Sequence, residues 1–295
     1  LIADVEAGWL GRVPGGGSLL DLALSVARPA WAMVADQPGV PGLGVSASKG
    51  DVARLASLLR AGLPAKELTA GWIPSWPHGL DGPVARALGI PCWTGTPVVA
   101  ACSTGLFGLL TLADLMESGG CDRALVGAVD RALDPLVLAG FRNMGVLCGD
   151  RHPLRGGGGF APAEGAAAVA LSSRPAGWRL VAGVRLGDAG HETHFSDPGT
   201  LHAALAALWQ ELPNPDCIVV HGTGTVAGDA YEQAGLDAGP WSRVPRVACK
   251  SAIGHCLGAS SMVELAATLS ADVGCFWKVG LGFGGHLAAV AVRRV

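Results

Sequence analysis

Charge is what this chain has least of. Charged residues make up 15% of its 295 residues and hydrophobic ones 50%, against about 25% charged in an ordinary soluble domain, so a large buried core is available. Basic side chains number 21 and acidic ones 24, a net charge of −3, and Lys and Arg form no cluster or stripe. That excludes the electropositive footprint of a nucleic-acid-binding surface. Lysine is scarcer still, with Lys49, Lys66, Lys250 and Lys278 the whole set. The eight cysteines include no Cys-x-x-Cys pair and no regular spacing, which argues against a disulfide scaffold and for reduced thiols in a cytoplasmic protein. No basic segment with a cleavage site opens the sequence, so no signal peptide is expected. A long apolar run is missing too. The longest uncharged stretch, 87–113, is broken by Pro91 and Pro97, and its clean apolar part, 98–113, falls short of the ~20 residues a membrane helix needs.

What is present reads as α/β. Short Val- and Ala-rich runs predict buried strands over 42–46, 98–101, 124–127, 166–171, 217–220, 247–249 and 287–292. Apolar periodicity between them predicts helices over 52–59, 106–116, 201–208 and 262–269. Strands with little alternation belong to a sheet covered on both faces, and the helix at 106–116, apolar nearly all round, belongs inside the molecule. A weak internal echo links 99–105 (Val-Ala-Ala-Cys-Ser-Thr-Gly) with 247–254 (Val-Ala-Cys-Lys-Ser-Ala-Ile-Gly), each reading as strand, small-residue loop, then helix. Segments 15–17, 156–159 and 191–200 read as loops, and the first forty residues are the least legible.

Three segments carry chemistry. Cys102 follows a predicted strand and opens a predicted helix, where exposed amides and the helix dipole lower a thiol pKa and suit a nucleophile. A buried structural cysteine is the competing reading. His221-Gly222-Thr223-Gly224-Thr225 places an imidazole, hydroxyls and accessible backbone at a strand end. Lys250-Ser251-Ala252-Ile253-Gly254-His255 sets a rare lysine and a second histidine in a small-residue loop. Taken singly, these last residues would be surface or capping groups.

Taken in order, Ala-Cys-Ser-Thr-Gly at 101–105, His-Gly-Thr-Gly-Thr at 221–225 and Lys-Ser-Ala-Ile-Gly-His-Cys-Leu-Gly-Ala at 250–259 resemble the active-site blocks of the β-ketoacyl synthases, the condensing enzymes of fatty-acid and polyketide assembly. Ala163-Glu164-Gly165-Ala166-Ala167, Gly282-Phe283-Gly284-Gly285 and the segment from Asp134-Pro135-Leu136 to Phe141 resemble further family blocks, and the likeness runs from Gly42 to Val292. The resemblance implies a thiolase fold, with two similar βαβαβαβ halves, about 1–155 and 156–295, layered α-β-α-β-α within one domain spanning 1–295. It implies that Cys102 carries the acyl chain, and that His221 and His255 bind the extender thioester and promote loss of CO2. Lys250 and Glu264 would order that histidine site. The N–H groups of Cys102 and Phe283 would form an oxyanion hole, with Phe283 gating the pocket, and Thr223 and Thr225 would bind pantetheine. It implies no metal or resident cofactor, substrates carried on the phosphopantetheine of acyl carrier protein or coenzyme A, and a homodimer or a heterodimer with a chain-length-factor-like subunit.

The departures are specific. Only 101 residues precede Cys102, the family's opening strand and glycine-rich segment are not recognisable, and His286-Leu287 stands where Thr-Asn is common. Other chemistries compete locally: His191, His194, Glu192, Asp197 and His202 as metal ligands, Ser46-Ala47-Ser48-Lys49 as a serine acyl-enzyme pattern, and Arg151, Arg155 and 156–159 as a phosphate loop. An acyltransferase or hydrolase on the same fold and a non-catalytic partner subunit remain alternatives for the whole protein.

Overall fold

Ser18 opens the first helix, α1 (Leu19–Ala32), with a capping box: its hydroxyl accepts from Asp21 N, and the Asp21 carboxylate accepts from Ser18 N. The computed structural model describes residues 12–14, 17–62, 64–131, 133–148 and 158–295. Arg151, Arg155, and Gly156 and Gly157 of the 156–159 loop lie outside them. After α1 the chain runs through β1 (Pro41–Ser46), α2 (Val52–Arg60), α3 (Ala65–Trp72), α4 (Asp81–Leu88), α5 (Thr104–Glu117), β2 (Arg123–Asp130), α6 (Pro135–Asn143) and β3 (Gly165–Ser172). It continues with β4 (Trp178–Gly187), α7 (Pro198–Glu211), β5 (Cys217–Val219), α8 (Val226–Asp237), β6 (Arg246–Val247), α9 (Lys250–Ile253), α10 (Ser260–Leu269), β7 (Cys275–Gly282) and β8 (His286–Arg294).

The strands form two sheets, ordered β1-β2-β3 and β4-β8-β7-β5-β6. β1 runs parallel to β2, with Leu43 opposite Leu125, and β3 returns antiparallel, with Ala168 opposite Gly127. In the second sheet β7 lies parallel to β5 and β8 antiparallel to β7. The divide between the sheets falls after Ser172, later than the expected boundary near 155, because β3 pairs with β2. Helices α5 and α10 lie between the sheets. Leu106, Leu109 and Leu110 of α5 and Met262 and Leu265 of α10 share one core with Val126 of the first sheet and Phe276 and Val290 of the second. Outside the first sheet, Leu19, Ala23 and Ala27 of α1 and Val84 of α4 pack on Leu43, Val45 and Leu125. Outside the second, Leu201, Leu205 and Leu208 of α7 pack on Ile218, Trp277 and Ala289. The result is the α-β-α-β-α layering of the thiolase fold. No helix among the described residues is long and apolar enough to cross a membrane.

Two expectations change. Residues 98–101 form no strand: Pro97 offers no donor, Val98 N donates to the Ser46 hydroxyl (3.1 Å) and Ala100 N to Thr104 Oγ1 (3.0 Å), which leaves no ladder to join. The internal repeat also sits in a different register. The turn that matches Ala101–Ser103 ahead of α5 is Leu257–Ala259 ahead of α10, not the lysine segment at 250. Both are single 3-10 turns whose first residue has positive φ, +46° at Ala101 and +48° at Leu257. Gly258 therefore occupies the second-half position that Cys102 holds in the first. A Cβ there would lie 2.6 Å from Ser48 Cβ, 2.8 Å from Asp130 Oδ2 and 3.0 Å from Ala101 O.

Candidate active site

Several contacts fix the Cys102 turn. Ser103 N donates to Ala100 O (2.9 Å), the Thr104 hydroxyl donates to Ala101 O (2.7 Å), and the Ser103 hydroxyl donates to Gly280 O of β7 (3.2 Å). The end of β7 presses against the same turn, since a Cβ at Gly282 would fall 2.5 Å from Ala100 O and 3.2 Å from Cys102 N. The thiol thus sits just ahead of α5, as the sequence predicts, but its acidity is not the expected one. Cys102 is 7% exposed, and burial pushes its pKa up to about 11, against the smaller opposing pull of Lys49 and Lys250.

His221 follows the end of β5. Glu232, one helix away on α8, accepts from His221 N (2.5 Å) and Gly222 N (2.7 Å) and so shapes the loop. From the other side Lys250 Nζ donates to His221 O (2.6 Å) and to Glu264 Oε1 (2.6 Å), and lies 3.5 Å from His221 Nδ1. An ammonium can only donate, so Nδ1 accepts and the ring proton sits on Nε2. His255 is fixed by its own backbone, with its N–H on Ala161 O (2.7 Å), by the edge of Phe160 at 4.9 Å, and by Ser260 Oγ at 2.8 Å from Nδ1. The two imidazoles face each other at 5.7 Å, nearly perpendicular. Burial first, and Lys250 second, hold both well below the ordinary histidine value, so both are neutral at physiological pH. Glu264 is buried, which alone would raise its pKa, but Lys250 and Lys278 outweigh burial and keep it below the ordinary carboxylate value.

Cys102, His221, His255, Thr223, Thr225 and Phe283 all line one cavity of about 360 Å³, whose surface is mainly apolar. The Thr223 and Thr225 hydroxyls are 2.9 Å apart. Phe283 lines the cavity and packs beside the Phe141–Phe160 pair, whose rings meet edge to face at 5.2 Å. Lys250 and Glu264 lie behind the histidines rather than on the cavity wall. Sequence reasoning missed three supports: Glu232, Ser260 and Lys278. Lys278 alone left a local sign, a lysine inside the apolar run Cys-Phe-Trp-Lys-Val.

The competing chemistries disperse. His191 and His194 stack on each other at 3.9 Å, but Asp197 caps α7 and His202 packs on Trp241. Among the described residues no group of three or more His, Cys, Asp and Glu side chains gathers to hold a metal. Ser46 is engaged with Val98 N. Glu164 of the 163–167 block is buried and pairs with Arg131 at 3.5 Å. All eight cysteines are free thiols.

Residues 46–176 match the N-terminal domain of the β-ketoacyl synthases and residues 184–271 their C-terminal domain, so the two together span about three quarters of the chain. The chain is 30% identical over 217 residues to the tetracenomycin polyketide synthase ketoacyl synthase alpha subunit of Streptomyces glaucescens, which covers 65% of this chain and 48% of that protein. It is 31% identical over 192 residues to 3-oxoacyl-[acyl-carrier-protein] synthase 2 of Rhizobium meliloti, covering 57% and 45%. The chain thus spans about half the length of the curated relatives it matches. Among solved structures, a type II polyketide ketosynthase in complex with its acyl-carrier protein superposes with a TM-score of 0.84 at 18% identity, over 97% of this chain and 88% of that one. A β-ketoacyl synthase from Burkholderia phymatum gives 0.82 at 18%, over 96% and 87%. With the two domains matched in order and the fold shared almost end to end, this chain belongs to the β-ketoacyl synthase family.

Proposed function

We propose that the protein is a condensing enzyme that builds β-ketoacyl thioesters by decarboxylative Claisen condensation. The observation that carries this reading is the convergence of one thiol and two neutral imidazoles on a single, mainly apolar cavity. In the first half-reaction the Cys102 sulfur attacks the carbonyl of a carrier-bound acyl thioester. The carrier thiolate leaves and takes up the proton that the thiol gives up, and the acyl group remains on Cys102. In the second, a malonyl-type thioester places its carbonyl against the Nε2–H of His221, whose tautomer Lys250 fixes, and of His255, whose Nε2 carries the proton when the Ser260 hydroxyl donates to Nδ1. Neutral donors stabilise the enolate left when CO2 departs without protonating it. The enolate carbon then attacks the acyl carbonyl, whose oxyanion the N–H groups of Cys102 and Phe283 hold, and collapse of the adduct returns the Cys102 thiolate.

Thr223 and Thr225 suit the pantetheine arm, because their hydroxyls line the same cavity. Within this reading no resident cofactor enters a step. The substrates arrive on the phosphopantetheine of acyl carrier protein or coenzyme A, and the chain works as one domain over 1–295 in the cytoplasm. It pairs as a homodimer or with a chain-length-factor-like subunit. Solved relatives described as a ketosynthase with its acyl-carrier protein, and as a ketosynthase with its chain length factor, support these partners. The test is release of labelled CO2 from a malonyl thioester by the wild type and by His221→Ala and His255→Ala. Release that each substitution cuts by about a hundredfold or more supports the reading, and release that survives both overturns it.

A further inference from the structure

Lys278 is the buried charge that the proposed chemistry leaves unused. It sits in the middle of β7, fully enclosed, with no exposed surface. Its Nζ meets only acceptors: Val279 O at 2.7 Å, Val220 O at 3.1 Å, Val219 O at 3.5 Å and the second oxygen of Glu264. A nitrogen surrounded by carbonyls and a carboxylate is an ammonium. Lys250 grips the neighbouring carbonyl, His221 O, and the other oxygen of Glu264. Two ammoniums therefore share one carboxylate, and between them they hold the three consecutive carbonyls of Val219, Val220 and His221.

We propose that Lys278 is a positioning residue for His221, gripping the carbonyls at the end of β5 from behind so that the imidazole keeps its Nε2–H directed into the cavity, and setting a second buried ammonium beside it. The ionisable groups around this site are Lys250 and Cys249 at α9, Glu264 on α10, Glu232 on α8 and His255. Glu232 accepts two peptide N–H groups; burial raises its pKa, and those two bonds, Lys278 and Lys250 oppose the rise.

The inference rests on the condensing-enzyme reading for its catalytic consequence, and the experiment separates the two. Lys278→Met keeps the length and apolar stem of the side chain and leaves the Lys250–Glu264 pair in place. In 13C-histidine-labelled protein the His221 titration, assigned by the signal lost in His221→Ala, should move upward by about one unit or more. The acid limb of the decarboxylation–pH profile should move with it, so that below both midpoints decarboxylation falls about tenfold relative to wild type, while acylation of Cys102 falls less. A variant that only loses thermal stability, with the His221 titration and the acid limb unmoved, overturns the proposal. Lys278→Gln, which retains a donor toward Val220 O, is the second variant. If neither variant folds, Lys278 belongs to folding rather than to His221, and the proposal likewise fails. A wild type that releases no CO2 defeats the functional reading, whereas the titration still decides the role of Lys278.

Discussion

Burial sets the resting chemistry of Cys102. A helix N-terminus favours thiolate by ~0.3–1 kcal/mol when exposed, whereas a thiol pushed to about 11 is overwhelmingly protonated at pH 7. The sequence pattern at 102 indicates the dipole but not the enclosure, which Gly282 and the β7 end create from 180 residues away. Iodoacetamide alkylation of Cys102, followed by peptide mass spectrometry, should therefore still be accelerating between pH 9 and 10. A rate that levels off near pH 7 would mean a thiolate stabilised at rest. Asp81 presents a second buried acid. Its Oδ1 accepts from Val45 N at 2.6 Å, Oδ2 has no partner among the described residues, and burial raises its pKa to about 7. Because the folded-state value exceeds the unfolded one, Asp81 favours the fold below about pH 4, and that contribution is lost as pH rises through about 7. Asp81→Asn should be the more stable protein in urea titrations at pH 8, with its advantage shrinking toward pH 4. A constant difference across that range would contradict the assignment.

At the scale of elements, the two 3-10 turns at Ala101–Ser103 and Leu257–Ala259 interlock, and Gly258 is what lets them meet. Gly258→Ala should cost about 1–3 kcal/mol by overpacking and slow Cys102 acylation by displacing Ala101. A melting curve with a parallel acylation assay checks both, and a variant identical to wild type in both would show that the turns do not constrain each other. Glu232→Gln keeps one acceptor but sets an amide against the other peptide N–H, which costs about 1–3 kcal/mol at the loop that carries His221. Urea titration should show that loss, and decarboxylation should fall with it; unchanged values would remove Glu232 from the loop's supports.

The legible elements were those whose pattern is local. β1, β2, β3, β8, α2, α5, α7 and α10 fall where runs and periodicity place them. α1 carries Pro29 inside it, which hides a helix. β7 is broken in sequence by Lys278 and Gly280, and β4 by charged Arg179 and Arg185 and by Gly183, with an irregular register between Leu180 and Ala182. Cys102, His221 and His255, which line one cavity, stood out in the sequence only through the order of three short blocks that resemble the family's. Their supports Glu232 and Lys278 did not, because what makes them matter is which strand end the tertiary fold brings beside them.

Across the whole molecule, the fold brings segments of both halves to a shared cavity, with α5 and α10 back to back between the sheets. Neither half holds the site alone: the thiol comes from the first, and both imidazoles with their lysine–glutamate support come from the second. The proposed condensation would therefore need both halves to act on one substrate. Intact-mass analysis tests that condensation most directly, with the wild type and Cys102→Ala incubated first with an acyl thioester and then with a malonyl-loaded carrier. An acyl adduct should form on the wild type only and be discharged on addition of the malonyl carrier, giving a β-ketoacyl thioester and CO2. An adduct that persists or merely hydrolyses, or one that forms equally on Cys102→Ala, would contradict the proposed condensation.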